Sequence, residues 1–452
     1  MTPNDTIASI ATPPGEGGLA VLRLSGADSL AIADRCFTPA SATACKPSDC
    51  PTHTLHYGHV MRDGEVVDEV LLAVMRGPRT FTREDVVEVS CHGGVLSAKR
   101  VLDTLLSAGA RLAEPGEFTR RAFLNGRLDL AQAEAVADLI HARTELALNA
   151  AQEQLAGHLS RRINHLRDDL MSMLAHVEAH IDFPDEDISP DTLETLMERL
   201  RRGEVMIEEL LRTADEGRVL RRGIRAAIVG RPNAGKSSLL NALLGEDRAI
   251  VAPNPGTTRD TIEETANIRG VPVIFVDTAG LRDAQDDVEA EGVRRTLESI
   301  KRAEIILHVL DGSQALEAED KERMAMLEAT PCLTVVNKAD LPQRLECPGV
   351  ATLEVSCLTG AGMESLKDRI KALAFRGALD NVEVAINSRH QEALRRGREA
   401  LGKVSAGLRE SQTLELTAFD LRVAVNAVGE VVGKTTTEDL LDSIFSQFCL
   451  GK

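Results

Sequence analysis

The sequence predicts a multidomain α/β protein. An α+β N-terminal domain leads into an α-helical domain, and an α/β domain is inserted into that helical one. Three observations carry this expectation. Short β-rich runs and turn clusters fill the first 119 residues, apolar residues then recur at steps of three and four, and from Ile224 short apolar runs alternate with helical segments. At 452 residues the chain exceeds what one hydrophobic core supports, so roughly three domains of about 150 residues are expected.

In the N-terminal domain, residues 1–119, the runs LAVLRLSG, EVLLAVM and DVVEVSCHGG read as strands. Turn clusters such as TPPGEGG and a helix near 95–108 separate them. From Leu128 the chain becomes rich in alanine and leucine. Leu155, Leu159, Ile163, Leu166, Leu170, Met173, Val177 and Ile181 mark a long amphipathic helix that ends near Pro184. Ser189 and Pro190 supply an N-cap and a first-turn proline for a further helix through Leu211, and 120–220 form the first half of the helical domain. IRAAIVG, VPVIFVD, EIILHVL and CLTVVNK are then strands of a mainly parallel sheet with crossover helices, in a domain spanning 221–378. Helical sequence resumes over 379–452, where TTTEDLLDSIFSQF sets Leu440, Leu441, Ile444 and Phe445 on one face.

Composition excludes several functions. Lysine and arginine total 52 against 70 acidic residues, a net charge of −18, so any nucleic-acid contact needs a local basic patch. Aromatics are 2%, with no tryptophan and Tyr57 as the sole tyrosine, which argues against a base-stacking platform. The N-terminus lacks the features of a signal peptide and no run approaches the ~20 apolar residues of a membrane span, so a cytoplasmic protein without membrane attachment is expected. The eight cysteines read as reduced thiols. Cys36, Cys45, Cys50, His53, His56 and His59 fall within 24 residues; they read as solvated loop and strand residues, with a zinc site the less favoured alternative. The final CLGK is not a prenylation signal.

GRPNAGKS, Gly230 to Ser237, satisfies G-x-x-x-x-G-K-[ST] between a strand and a helix. The loop Asn233, Ala234, Gly235, with Ser238 behind it, would wrap phosphates in backbone N–H groups. Lys236 reaches the β- and γ-phosphates and Ser237 ligates magnesium. In DTAG, Asp277 would hold magnesium through water and Gly280 would meet the γ-phosphate, with Thr278 and Ala279 between them. Thr257 and Thr258 of NPGTTRD form a switch segment, Thr258 being the favoured second magnesium ligand. In NKAD, Asn337 and Lys338 precede Asp340, whose carboxylate matches the paired donors of guanine; adenine offers none. Ser356, Cys357 and Leu358 sit where a loop closes over that base. The inserted domain is thus a P-loop GTPase (G) domain, and GTP its substrate.

Position 281, directly after DTAG, holds leucine where many such proteins carry a water-orienting glutamine. Asn233, with Ala252, Asn254 and Thr257, offers oxygen ligands for a hard monovalent cation such as potassium. In the acidic run that follows, Glu289 could orient the water, with Asp286, Asp287 and Glu291 on equal physical terms.

DTIASIATPPGEGG, AVLRLSG, FTREDVVEVSCHGG, PGEFTRRAFLNGRLDLAQAEAVADLI, the GTPase motifs and the terminal FCLGK together resemble the MnmE (TrmE) family of tRNA-modification GTPases over nearly the whole length. The resemblance implies potassium-stimulated, dimerisation-activated GTP hydrolysis, with the water-orienting role on Glu289. It implies that 1–119 form a folate-binding, dimerising domain that takes 5-formyltetrahydrofolate or methylenetetrahydrofolate, with Arg23, Glu84, Arg127 and Lys452 as folate contacts; Arg127 stands where the family commonly has lysine. It implies a carboxymethylaminomethyl-type addition at C5 of a tRNA wobble uridine, made by a homodimer with an FAD-dependent MnmG-type subunit in a heterotetrameric or larger complex. Cys449 in FCLGK is a candidate nucleophile, though a cysteine there reads more readily as a small packed residue. The competing reading is a ribosome-assembly or translation-type switch GTPase.

Overall fold

The computed structural model describes residues 5–41, 45–183, 193–245, 263–276, 298, 300–327, 330–347, 351–375, 385–410, 412–449 and 451. The chain divides into two compact units. The first comprises Met1–Ala137, Ser160–Asp168 and Val425–Lys452, and the second Asp138–Leu159 and Asp169–Ala424.

The first unit is built on a seven-stranded sheet of order β3-β4-β5-β6-β2-β1-β7. Its strands are β1 (Ile7–Ile10), β2 (Leu19–Ser25), β3 (Phe37–Pro39), β4 (Thr54–Arg62), β5 (Glu65–Met75), β6 (Val86–His92) and β7 (Arg111–Leu112). Period-two burial is plain in β2: Ala20, Leu22 and Leu24 face the core, while Val21 and Arg23 turn the other way. Helices α1 (Ser29–Cys36) and α2 (Val95–Ser107) cover the core face, where Ile32, Val101 and Leu105 meet Leu22, Leu72 and Val89. α3 (Glu117–Leu124), whose Phe118 packs with Ile7 of β1, meets the last helix of the chain, Glu438–Phe445. The last helix is capped by Thr437, which accepts from the N–H of Leu440, and its Leu441 and Phe445 bury against Leu130 and Ala133 with Phe448. Gly116, at φ 69°, opens α3, and a Cβ there would lie 2.5 Å from the Phe445 carbonyl; only glycine fits both constraints.

The second unit holds a six-stranded sheet of order β13-β12-β11-β8-β10-β9. Its strands are β8 (Ile224–Val229), β9 (Glu264–Ile268), β10 (Val271–Phe275), β11 (Ile305–Asp311), β12 (Cys332–Asn337) and β13 (Thr352–Glu354). Every neighbouring pair is parallel except β9 with β10, so the mainly parallel sheet expected from the apolar runs is present. β8 and β11 are buried on both faces, which is why their sequences are continuous rather than alternating. Between the two sheets along the chain come α4 (Leu130–His141), α5 (Glu145–Leu155), α6 (His158–Asp182), α7 (Leu193–Arg212) and α8 (Ala214–Arg222), with α4 and α6 each divided between the two units. α6 matches the expected long helix. α7 ends one residue beyond the expected Leu211, and its proposed start at Ser189 and Pro190 lies outside the described residues.

β11 carries a polar exception. His308 is fully buried, and neither ring nitrogen finds a hydrogen-bond partner among the described residues. Burial, reinforced by the charge of Arg323 and opposed by Asp320, pushes its pKa from 6.5 down to about 4. The unfolded chain therefore binds a proton that the native chain refuses. Native stability is complete above pH 6.5 and is lost as pH falls towards 4, by up to roughly 3 kcal/mol. His308→Leu, which keeps a similar volume without the titrating ring, is expected to flatten that part of the stability-versus-pH curve measured by urea unfolding.

Candidate functional site

The phosphate loop leaves β8 at Val229 and enters α9 (Lys236–Gly245). Asn233 at φ 62° and Gly235 at φ 96° give the loop its tight left-handed turns. Lys236 Nζ donates to the carbonyls of Gly230 at 2.9 Å and Arg231 at 2.7 Å, which folds the side chain back over the loop. Burial, with the Arg323 charge behind it, holds its pKa below the usual lysine value.

The carboxyl ends of β11 and β12 lie in register, Asp311 opposite Asn337, at the sheet edge where ligands of open parallel sheets collect. Asn337 Nδ2 donates to the Ala234 carbonyl at 3.1 Å and its Oδ1 accepts from the N–H of Cys357 at 3.3 Å. One buried amide thus joins the phosphate loop, the NKAD segment and the Ser356–Leu358 loop. Lys338 pairs with Asp311 at 2.6 Å. Burial raises the Asp311 carboxyl, but the Lys338 and Ser313 hydrogen bonds outweigh it and keep it below the usual range. Asp340 is exposed, and its Oδ1 accepts from Ser356 Oγ at 2.5 Å. This hydroxyl fixes the carboxylate's rotamer and leaves lone pairs on both oxygens for the paired donors of the base.

The structure therefore brings Asn233, Ala234, Gly235, Lys236, Asn337, Lys338, Asp340, Ser356 and Cys357 to one edge, with Ser237 and Ser238 at the start of α9 and Leu358 standing 84% exposed beyond them. Ala252, Asn254, Thr257, Thr258, Asp277, Thr278, Ala279, Gly280 and Glu289 lie outside the described residues. Asp311 was missed; its signal is an acid closing the apolar run EIILHVLD.

A second cluster stands in the first unit. The guanidinium carbons of Arg23 and Arg127 lie 5.9 and 5.1 Å from the ring centre of Phe81. Arg23 also pairs with Glu88 at 2.7 Å across the β2–β6 register. Glu84 accepts from Ser25 Oγ at 2.6 Å and from Arg121 at 3.2 Å. Arg121 is tied further to Asp5 at 2.6 Å and to buried Glu117 at 3.1 Å, and Arg111 closes the network on the same two acids. Phe81, Ser25 and Arg121 belong to this cluster and were not foreseen. Lys452 lies outside the described residues, while Cys449 is exposed rather than packed.

The thiol expectation needs one correction: Cys45 and Cys50 form a disulfide, and His56 lies beside them. The four residues between them are within the spacing of metal-binding cysteine pairs, a signal that would have singled them out.

Residues 6–127 match the model of the GTP-binding protein TrmE N-terminus, and 130–449 match that of the MnmE helical domain. The chain belongs to the MnmE family. The tRNA modification GTPase MnmE of Geobacillus kaustophilus is 48% identical over 464 residues, covering 100% of both chains. Those of Geobacter metallireducens and Geobacter sulfurreducens are each 49% identical, over 457 residues (99% of both chains) and 461 residues (100% of both). The helical-domain match runs from 130 to 449 and so encloses the Asn337 link. Among the described residues no helix is long and apolar enough to cross a membrane.

Proposed function

We propose that this chain is a GTP hydrolase of tRNA modification, coupling hydrolysis to addition of a carboxymethylaminomethyl-type group at C5 of a wobble uridine. The observation that carries the reading is the Asn337–Ala234 hydrogen bond, which unites a phosphate loop with a guanine-reading carboxylate, in a chain aligned end to end with tRNA modification GTPases.

Lys236 neutralises the β- and γ-phosphates, the N–H groups of Asn233 to Lys236 cradle them, and Asp340 reads guanine. Ser237 and Thr258 would hold magnesium. Asn233, exposed and without a hydrogen bond to another described residue, is suited to hold potassium with Ala252, Asn254 and Thr257. When bound, the cation supplies positive charge beside the phosphates, and Glu289 replaces the missing amide by orienting the attacking water. GTP turnover in potassium buffer is expected to exceed that in sodium buffer of equal ionic strength by at least ~10-fold, since a positive group in this place is worth more than that in related enzymes. Equal rates would remove the cation from the reading.

Arg23, Arg127 and Glu84 support a tetrahydrofolate site: two cations flank an aromatic ring, suiting glutamate carboxylates, and an oriented carboxylate nearby suits the N–H donors of a pterin. Titrating 5-formyltetrahydrofolate into the full chain is expected to give saturable binding that Arg23→Ala weakens by ~10-fold or more, the worth of one charged hydrogen bond. Heat that never saturates would withdraw the one-carbon role.

Self-association is supported by the outer face of the first unit's sheet, where Leu55, Tyr57 and Leu71 stand exposed on adjoining strands. The net charge of −18 favours an FAD-dependent MnmG-type partner as the source of much of the tRNA-binding surface.

A further inference from the structure

The segment between β3 and β4 brings together a set of soft ligands that neither the nucleotide reading nor the folate reading uses. Cys45 Sγ, Cys50 Sγ and a ring nitrogen of His56 all lie within 4.8 Å of one another. Cys50 Sγ and His56 Nδ1 are 3.9 Å apart. A tetrahedral zinc ion holds sulfur and nitrogen ligands roughly 3.5–3.8 Å from each other, so this pair already stands at nearly the required spacing.

The surroundings point the imidazole at the sulfurs. Thr54 Oγ1 donates its one proton to the Pro51 carbonyl at 2.7 Å. Its contact with His56 Nε2 at 2.8 Å must therefore be one in which the histidine donates. Nε2 carries the proton, and Nδ1 faces Cys50 with its lone pair. This is the arrangement in which a neighbouring hydroxyl fixes the tautomer of a metal-binding histidine. The loop is also held from both sides. Asp34 Oδ1 accepts from the N–H of Ser48 at 2.9 Å, and Arg76 Nη2 donates to the carbonyls of Ser48 at 2.5 Å and Cys50 at 3.2 Å.

We propose that Cys45, Cys50 and His56 form a site for a soft divalent cation of the zinc class, which is available when the Cys45–Cys50 disulfide is reduced. Two cellular thiols convert the disulfide into two cysteine thiols and leave as their own disulfide. Zinc then displaces one proton from each cysteine and takes the Nδ1 lone pair, with the fourth position open to water. The same loop is closed by a covalent bond under oxidation and by a metal under reduction.

The test uses the full, untagged chain stripped of metal by a chelator. A phosphine converts the disulfide to two thiols and takes up the oxygen of water, leaving no competing thiol, and cobalt(II) is then titrated. One cobalt per chain is expected, with the charge-transfer absorption of thiolate–cobalt bonds and displacement by zinc. The oxidised protein should show none. Thr54→Val should keep the absorption but weaken binding by ~10-fold or more, an effect that a merely structural threonine would not produce. The Cys45→Ser/Cys50→Ser double variant should lose the absorption while retaining GTP turnover, which vouches for its fold. Reduced protein without thiolate–cobalt absorption, or absorption that survives the double substitution, overturns the site.

Discussion

Lys236→Ala is expected to lower GTP turnover by ~10²–10³-fold, the cost of removing one preorganised charge from a developing transition state. The lysine is half-buried, and two loop carbonyls hold its Nζ above the phosphate cradle. It therefore meets the nucleotide without reordering. Thermal unfolding should shift by only a few degrees, because the carbonyls it releases sit at a ligand-facing edge where water replaces the donor. Lys236→Arg should not restore the rate, since a planar fork cannot follow a point charge into a loop this tight. Single-turnover hydrolysis at saturating GTP separates this chemical defect from lost affinity. A variant with wild-type turnover would move the catalytic charge elsewhere.

Asp340→Asn is the second large effect. The carboxylate accepts from two guanine donors, and each charge-assisted bond is worth about 1.5–3 kcal/mol. GTP affinity should therefore fall by ~10²-fold or more. The amide that replaces it brings a donor, which suits a base with a carbonyl where guanine has its amino group. Xanthosine triphosphate should consequently gain on GTP, read as a reversal in the ratio of kcat/KM values. Ser356 holds the side chain in place and can hydrogen-bond to either group, so the exchange alters the chemistry more than the geometry. Unchanged preference would show that Asp340 does not read the base.

The nucleotide site was legible because its parts are local. Strand, glycine loop and helix are contiguous from Ile224 to Gly245, and Asp340 follows its strand by three residues. What stayed hidden depends on distance along the chain. Arg121 looks like any arginine in FTRRAF until Asp5, 116 residues earlier, and Glu84, 37 earlier, are folded against it. The link from Asn337 to Ala234 spans 103 residues and needs the register of two parallel strands to be known. The antiparallel β9 escaped because ETANI carries no unbroken apolar run. The last helix was visible as an apolar face, but its packing against Leu130 and Ala133 was not. His56 required more still, since only the Thr54 and Pro51 contacts determine which nitrogen faces the sulfurs.

The Asn337 amide holds the protein with both its polar atoms, one on the Ala234 carbonyl and one on the Cys357 N–H, so it is a strut between two grips, with its second N–H left to face the ligand. Loosening either grip loosens its neighbour. Departure of a spent nucleotide is accordingly expected to be a concerted release, with a tempo set by that shared strut as much as by whatever the purine or the phosphates touch.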